Sequence, residues 1–193
     1  MTTTPTATGH VPGTTPYAWP WDAVLDPART AVLVVGPARG LTLAGSAEGA
    51  RARAVVDVVL GAGGAVVQVV TAPPPAVGPA APAAGPPLAD AAFPVLSARG
   101  VDGFYGSGLD DHLRASGRDH LLLVGAGLET CIHSTMRSAN DRGLECLLVL
   151  DACVPYDRAL VGSARSQVEM SGGIFGAVGS TAEVFDAYAA LVP

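Results

Sequence analysis

His120-Leu-Leu-Leu-Val124-Gly-Ala-Gly127-Leu-Glu-Thr-Cys131-Ile-His-Ser-Thr135 is the stretch on which the fold turns. Its opening run of Leu and Val does not alternate with polar residues, as expected of a strand covered on both faces in a parallel sheet. A Gly-rich turn ends the strand. From Thr130 to Arg142 the apolar residues Ile132, Met136 and Ala139 then recur at helical spacing.

The same alternation extends outward. Apolar runs at Thr30–Val35, Ala65–Thr71, Phe93–Leu96, Cys146–Leu150 and near Gly176–Val178 read as strands. Segments of helical period lie between them at Ala44–Leu60, Leu109–Ala115 and Ala159–Met170, and Ser180-Thr-Ala-Glu183 fits a capping box that opens a last helix. Gly117 and Gly143 stand where helices would end. The pattern predicts an α/β chain with a mainly parallel, six-stranded sheet. Residues 1–16, rich in Thr, Gly and Pro, read as a flexible tail, leaving 17–193 as one domain. Prolines bar Ala72–Ala92 from a long helix or a central strand. Because that segment leaves the second strand, it is expected to be either a lid or a loose connection.

Composition narrows the function. With 193 residues, 49% of them hydrophobic, the chain can bury a single sizeable core. A net charge of −6 with scattered arginines excludes a nucleic-acid partner, and no apolar run is long enough for a membrane. No leader is readable, so the expected location is cytoplasmic. All 11 basic residues are arginine, which excludes any mechanism that needs a lysine from this polypeptide. Cys131, Cys146 and Cys153 are odd in number and lack C-x-x-C spacing, against a disulfide framework or a zinc site. Gly125-Ala-Gly127 is too short for a dinucleotide fingerprint, so neither cofactor nor metal is expected.

Cys131 is the candidate nucleophile. At the start of a helix, free N–H groups and the positive end of the dipole would lower its pKa and could hold an oxyanion. A packing cysteine is the competing reading. His133 points about 200° away around the helix, so a direct Cys–His pair is not expected. His10 lies in the tail, and His112 and His120 read as ordinary surface or satisfied residues, while Cys146 and Cys153 read as structural.

From Phe104 to Ala152 the chain resembles the isochorismatase-like, or cysteine hydrolase, superfamily: GFYGSGLDDHLRASGRDHLLLVGAGLETCIHSTMRSANDRGLECLLVLDA aligns with its pattern without a gap. Asp26–Val35 resembles the entry to the first strand, Tyr17-Ala-Trp-Pro20 the opening of true isochorismatases, and Ile174–Thr181 the closing strand and helix start. The resemblance implies a three-layer α/β/α, Rossmann-like sandwich assembled as a homodimer or homotetramer. It also implies an Asp-Lys-Cys triad and an oxyanion hole made by the N–H groups of Cys131 and Gly127, set by a cis Ala126–Gly127 bond. Only Cys131 of the triad matches. Gly36 stands at the Asp position and Ala98 at the Lys position, and the metal-binding histidines of nicotinamidase-type amidohydrolases are missing near Ala72–Ala76.

Three functions follow as expectations. The first is an enzyme with altered chemistry, acting on a small metabolite of bacterial biosynthesis through Cys131 and the backbone oxyanion hole. Acyl transfer, isomerisation or cyclisation would fit, with Arg99, Phe104, Tyr105 and Glu129 as substrate-binding candidates and Asp102 and Glu129 as acids or bases. The second is an inactive member that binds a metabolite or stabilises a partner. The third is a C–N hydrolase whose replacement base comes from Tyr17–Asp22 or a neighbouring subunit.

Overall fold

The computed structural model describes residues 9–72, 86–88 and 92–191. Six strands form one parallel sheet: β1 (Thr30–Pro37), β2 (Ala65–Thr71), β3 (Val95–Ser97), β4 (His120–Ala126), β5 (Glu145–Val154) and β6 (Ala177–Gly179). Their order is β3-β2-β1-β4-β5-β6, so the chain reverses its direction of travel between β1 and β4. In open α/β sheets the ligand crevice lies outside the carboxyl ends of the strands at such a point.

Alternate residues of each strand feed two cores. Val32, Val34, Leu122, Val124, Leu147 and Val149 meet one helical layer, α1 (Ala47–Gly61) and α5 (Thr181–Ala189). Leu33, Val35, Leu121, Leu123 and Leu148 meet the other: α2 (Leu109–Ala115), α3 (His133–Asn140) and α4 (Val161–Glu169). This is the three-layer sandwich expected, and its period-2 division explains why the central strands are apolar throughout. Ser46 caps α1 through the Gly49 N–H, and the predicted capping box of Ser180 and Glu183 opens α5.

Two expectations about the backbone are corrected. Residues 9–16 are not a free tail: Thr15 exchanges two backbone hydrogen bonds with Val178 of β6, and Val11 N–H donates to Trp19 C=O. Burial of Val11 and Trp19, both fully covered, holds this segment in place, and it closes the open edge of the sheet. Residues 1–8 and most of the 72–92 segment lie outside the described residues. The second correction is that the helix expected from Thr130 to Arg142 is two pieces. Leu128–Ile132 forms a π-helical turn in which Ile132 N–H reaches back to Gly127 C=O at 3.2 Å, and α3 begins only at His133. Among the described residues no helix is long and apolar enough to cross a membrane.

Candidate functional site

The carboxyl ends of β2, β1 and β4 deliver Thr71, Gly36 and Ala126–Gly127 to one place, and the π-helical turn brings Cys131 back over them. Cys131 is 2% exposed. Its sulfur lies 3.0 Å from the Ala126 carbonyl oxygen and 3.6 Å from that of Gly127, so a protonated thiol can donate to either. Burial pushes the thiol pKa up. Hydroxyls of Thr71 and Thr130 and the N–H groups of Cys131 and Ile132 offset part of that rise. The expectation of a lowered pKa is therefore reversed, because desolvation outweighs donors in a turn that is not a free helix end.

The backbone oxyanion hole is corrected as well. Gly127 N–H donates to Val154 C=O at 2.8 Å, so of the two expected donors it is already engaged. Among the described residues the cis bonds precede Pro16 and Pro20, and Ala126–Gly127 is trans.

At the expected acid position, Gly36 is covered rather than open. A β-carbon placed on it would lie 3.0 Å from Pro87 Cγ and 3.3 Å from Pro87 Cβ. Leu88, next in the chain, is held by the Gln68 side chain, whose oxygen accepts its N–H at 2.7 Å. Pro87 thus occupies the space a carboxylate would need. Ala98, at the expected lysine position, is buried and ties β3 to β2 through Val70 C=O. Introducing the acid by Gly36→Asp is expected to lower stability by about 1–3 kcal/mol, since it buries an unpaired carboxylate against Pro87. Denaturant titration reads that loss, and amide hydrolysis should stay at background.

The remaining candidates are mostly used up by the fold. Glu129 accepts the N–H groups of Tyr156 and Asp157 at 2.8 and 2.9 Å, so its carboxylate anchors the loop after β5. Asp102 accepts from Phe104 N–H and from the Ser138 hydroxyl. Phe104 is buried beneath the Arg142 guanidinium, 4.6 Å from its ring centre, and Arg99 lies 5.5 Å over the Tyr105 ring. His133 is buried, and no hydrogen bond joins it to Cys131. Cys146 and Cys153 are buried free thiols, as expected of packing residues. Tyr17–Asp22 sits at the amino end of β4, where the Trp19 ring packs 5.5 Å from that of His120. A seven-residue strand spans roughly 20 Å, so this segment cannot supply a base to Cys131 of the same subunit.

Sequence reasoning missed several residues. Thr71 and Tyr156 flank the thiol: the Thr71 hydroxyl reaches it and also faces Gly36 C=O at 3.3 Å, and the Tyr156 ring edge packs against Gly127. Thr71 was findable as the last residue of a strand next to the crossover point. A cavity of about 350 Å³ also opens at the carboxyl ends of β5 and β6, with Arg51, Arg158, Arg165, Glu48, Asp151 and Glu183 in its lining. Arg158 pairs with Glu48 at 3.0 Å and Arg51 with Asp151 at 3.7 Å. These residues come from four regions of the chain, and no spacing announces them. Cys131 is not part of this lining.

Comparison with known proteins agrees with this architecture. An isochorismatase family protein from Burkholderia thailandensis superposes with a TM-score of 0.70 at 19% identity, over 86% of this chain and 97% of that one. A cysteine hydrolase from Pseudomonas syringae gives 0.66 at 16%, over 86% and 95%. N-carbamoylsarcosine amidase from Thermoplasma acidophilum gives 0.59 at 21%, over 79% and 96%. At such identities the likeness is one of fold. The sequence itself matches the isochorismatase domain model over residues 63–183, and with more than half its length matched, the chain belongs to the isochorismatase domain family.

Proposed function

We propose that this chain is a non-hydrolytic member of its family, one that binds a small charged metabolite without forming a covalent adduct at Cys131. The observation that carries this reading is the placement of the thiol: buried and turned onto the Ala126 carbonyl, where burial raises its pKa. Its neighbours support the same reading. Gly36 and Ala98 replace the acid and the lysine that the family resemblance implies, and Pro87 fills the acid's space. Losing a general base alone costs on the order of 10²–10⁴ in rate, and members of a coupled unit do not rescue one another. The cavity beside α4 and α5 is of small-molecule size, and its mixed guanidinium and carboxylate lining suits a zwitterion.

A second reading keeps Cys131 reactive, because the Thr71 and Thr130 hydroxyls and two N–H groups would favour a thiolate if one formed. One experiment separates the two. The wild type and Cys131→Ala are incubated with amides, vinyl ethers and zwitterionic metabolites, while melting temperature and product are followed together. Binding at 100-fold over Kd is expected to raise the melting temperature by about 5–10 °C in both proteins, with no product from either. Native Cys131 should also react with iodoacetamide at pH 7 no faster than a free thiol. Turnover that disappears in Cys131→Ala, or labelling faster than a free thiol, would overturn the proposal.

A further inference from the structure

At the other end of the sheet, far from Cys131, His120 and Glu145 are the first residues of β4 and β5 and stand opposite each other in the parallel register. Asp22 arrives from the amino-terminal segment. His120 Nε2 lies 3.9 Å from Asp22 Oδ2 and 3.8 Å from Glu145 Oε2, and the three donor atoms all fall within 4.8 Å of one another. Those separations are too long for hydrogen bonds. The imidazole is nevertheless 1% exposed, and neither of its nitrogens has a hydrogen-bond partner. A buried nitrogen aimed between two carboxylates and bonded to neither requires an explanation.

We propose that Asp22, His120 and Glu145 form a binding site for one divalent transition-metal cation, of which zinc is the best-suited probe. An imidazole nitrogen with two carboxylate oxygens is a donor set for such ions, whereas magnesium and calcium prefer oxygen alone. Zinc bonds of about 2.0–2.2 Å place tetrahedral ligands roughly 3.4 Å apart. The two spacings from His120 therefore need to contract by about half an ångström, and Asp22, 41% exposed at its side chain, is the ligand free to move toward the other two.

The outer contacts already orient the ligands. Arg29 Nη1 donates to Asp22 Oδ2 at 2.7 Å, and Val24 N–H donates to Oδ1 at 3.0 Å. Trp21 N–H holds Glu145 Oε1, leaving Oε2 toward the imidazole. The ring itself is held by packing against Trp19. A cavity of about 250 Å³ adjoins Glu145, with Tyr17 and Trp21 also in its lining, while His120 and Asp22 lie outside that lining. A bound cation would fasten the amino-terminal segment to the amino ends of two central strands. It would be a structural site, separate from the family crevice and from the zwitterion cavity.

The test uses the full chain, stripped with a chelator and titrated with zinc chloride by calorimetry and thermal denaturation. One zinc per chain is expected, with a rise in melting temperature of about 5–10 °C at 100-fold over Kd. Magnesium should give no rise. Asp22→Asn, on the exposed arm, should fold normally and weaken zinc at least tenfold, as should Glu145→Gln. Cobalt in place of zinc should give visible absorption of a low-coordinate nitrogen and oxygen site. No zinc binding by the wild type, or binding of equal strength in both variants, would overturn the proposal.

Discussion

Gly125→Ala should give a severely destabilised protein, the largest effect expected of a single methyl group anywhere in the described chain. Gly125 pairs with Val35 at the centre of the sheet, where β1 and β4 meet, and its φ is +143°. A β-carbon there would overlap the Val35 carbonyl oxygen and lie 2.8 and 2.9 Å from Val35 C and N. All three are backbone atoms of a strand hydrogen-bonded on both sides, so none can rotate away. Relief requires β1 and β4 to separate, and both cores meet at those strands. A loss of at least about 4 kcal/mol is expected, a drop of roughly 10 °C or more in melting temperature for a domain of this size. Gly143→Ala makes the contrast. Its φ is +76°, but nothing lies within 4 Å of the added carbon, so the cost should be only the backbone strain of about 1–2 kcal/mol. Soluble expression and denaturant midpoints of the two variants decide the matter. Equal midpoints would mean that the strand pairing at Gly125 yields more readily than its hydrogen bonding implies.

The difference between these two glycines marks where the sequence could be read and where it could not. Continuous Val and Leu at β1, β2 and β4 announce a doubly covered parallel sheet, because nothing else requires apolar side chains on both faces of a strand. The register does not follow from that pattern. Between β4 and β5 it shifts, Leu123 facing Leu148 while Gly125 faces Cys153, and a glycine in a bulge looks like any glycine in a string of letters. The amino-terminal segment was illegible for another reason. Thr15 bonds Val178, far along the chain, and Val11 is one apolar residue among Thr, Gly and Pro, so no period exists to detect. For the site, the position of Cys131 after β4 was legible, and its electrostatic state was not. That state depends on the depth of burial and on the Thr71 hydroxyl from β2, both set by strand packing and the turn geometry rather than by neighbours in sequence. His120 shows the same limit. It looked ordinary until strand register put Glu145 beside it and the amino-terminal segment added Asp22.

Alkaline pH should destabilise the protein well below the range in which tyrosines and arginines usually decide the outcome. Burial raises the pKa of all three thiols: Cys131, and more strongly Cys146 and Cys153, whose carboxylate neighbours Glu145 and Asp151 add to the rise. Burial also pushes Tyr188 up to about 12 and raises Tyr17, the latter helped by Glu145. A group held neutral in the fold contributes its full stability below its unfolded pKa and loses it as pH climbs toward the folded value. An unfolded thiol ionises near 8.5, so above that point each cysteine draws the equilibrium toward the unfolded chain. At pH 10 the loss is about 2 kcal/mol for each of Cys146 and Cys153, about 4 kcal/mol for the pair, with a further contribution of the same sign from Cys131, against the 5–15 kcal/mol that holds a typical domain together. Urea titrations at pH 7, 8, 9 and 10, with a phosphine reductant to keep the thiols free, should show a flat region to about pH 8. A slope approaching 3 kcal/mol per pH unit should follow from Cys146 and Cys153 alone. Cys146→Ala and Cys153→Ala should each remove about half of that slope while costing some core packing at neutral pH. If stability instead stays level to pH 10, the thiols ionise within the fold, and Cys131 regains its standing as a nucleophile.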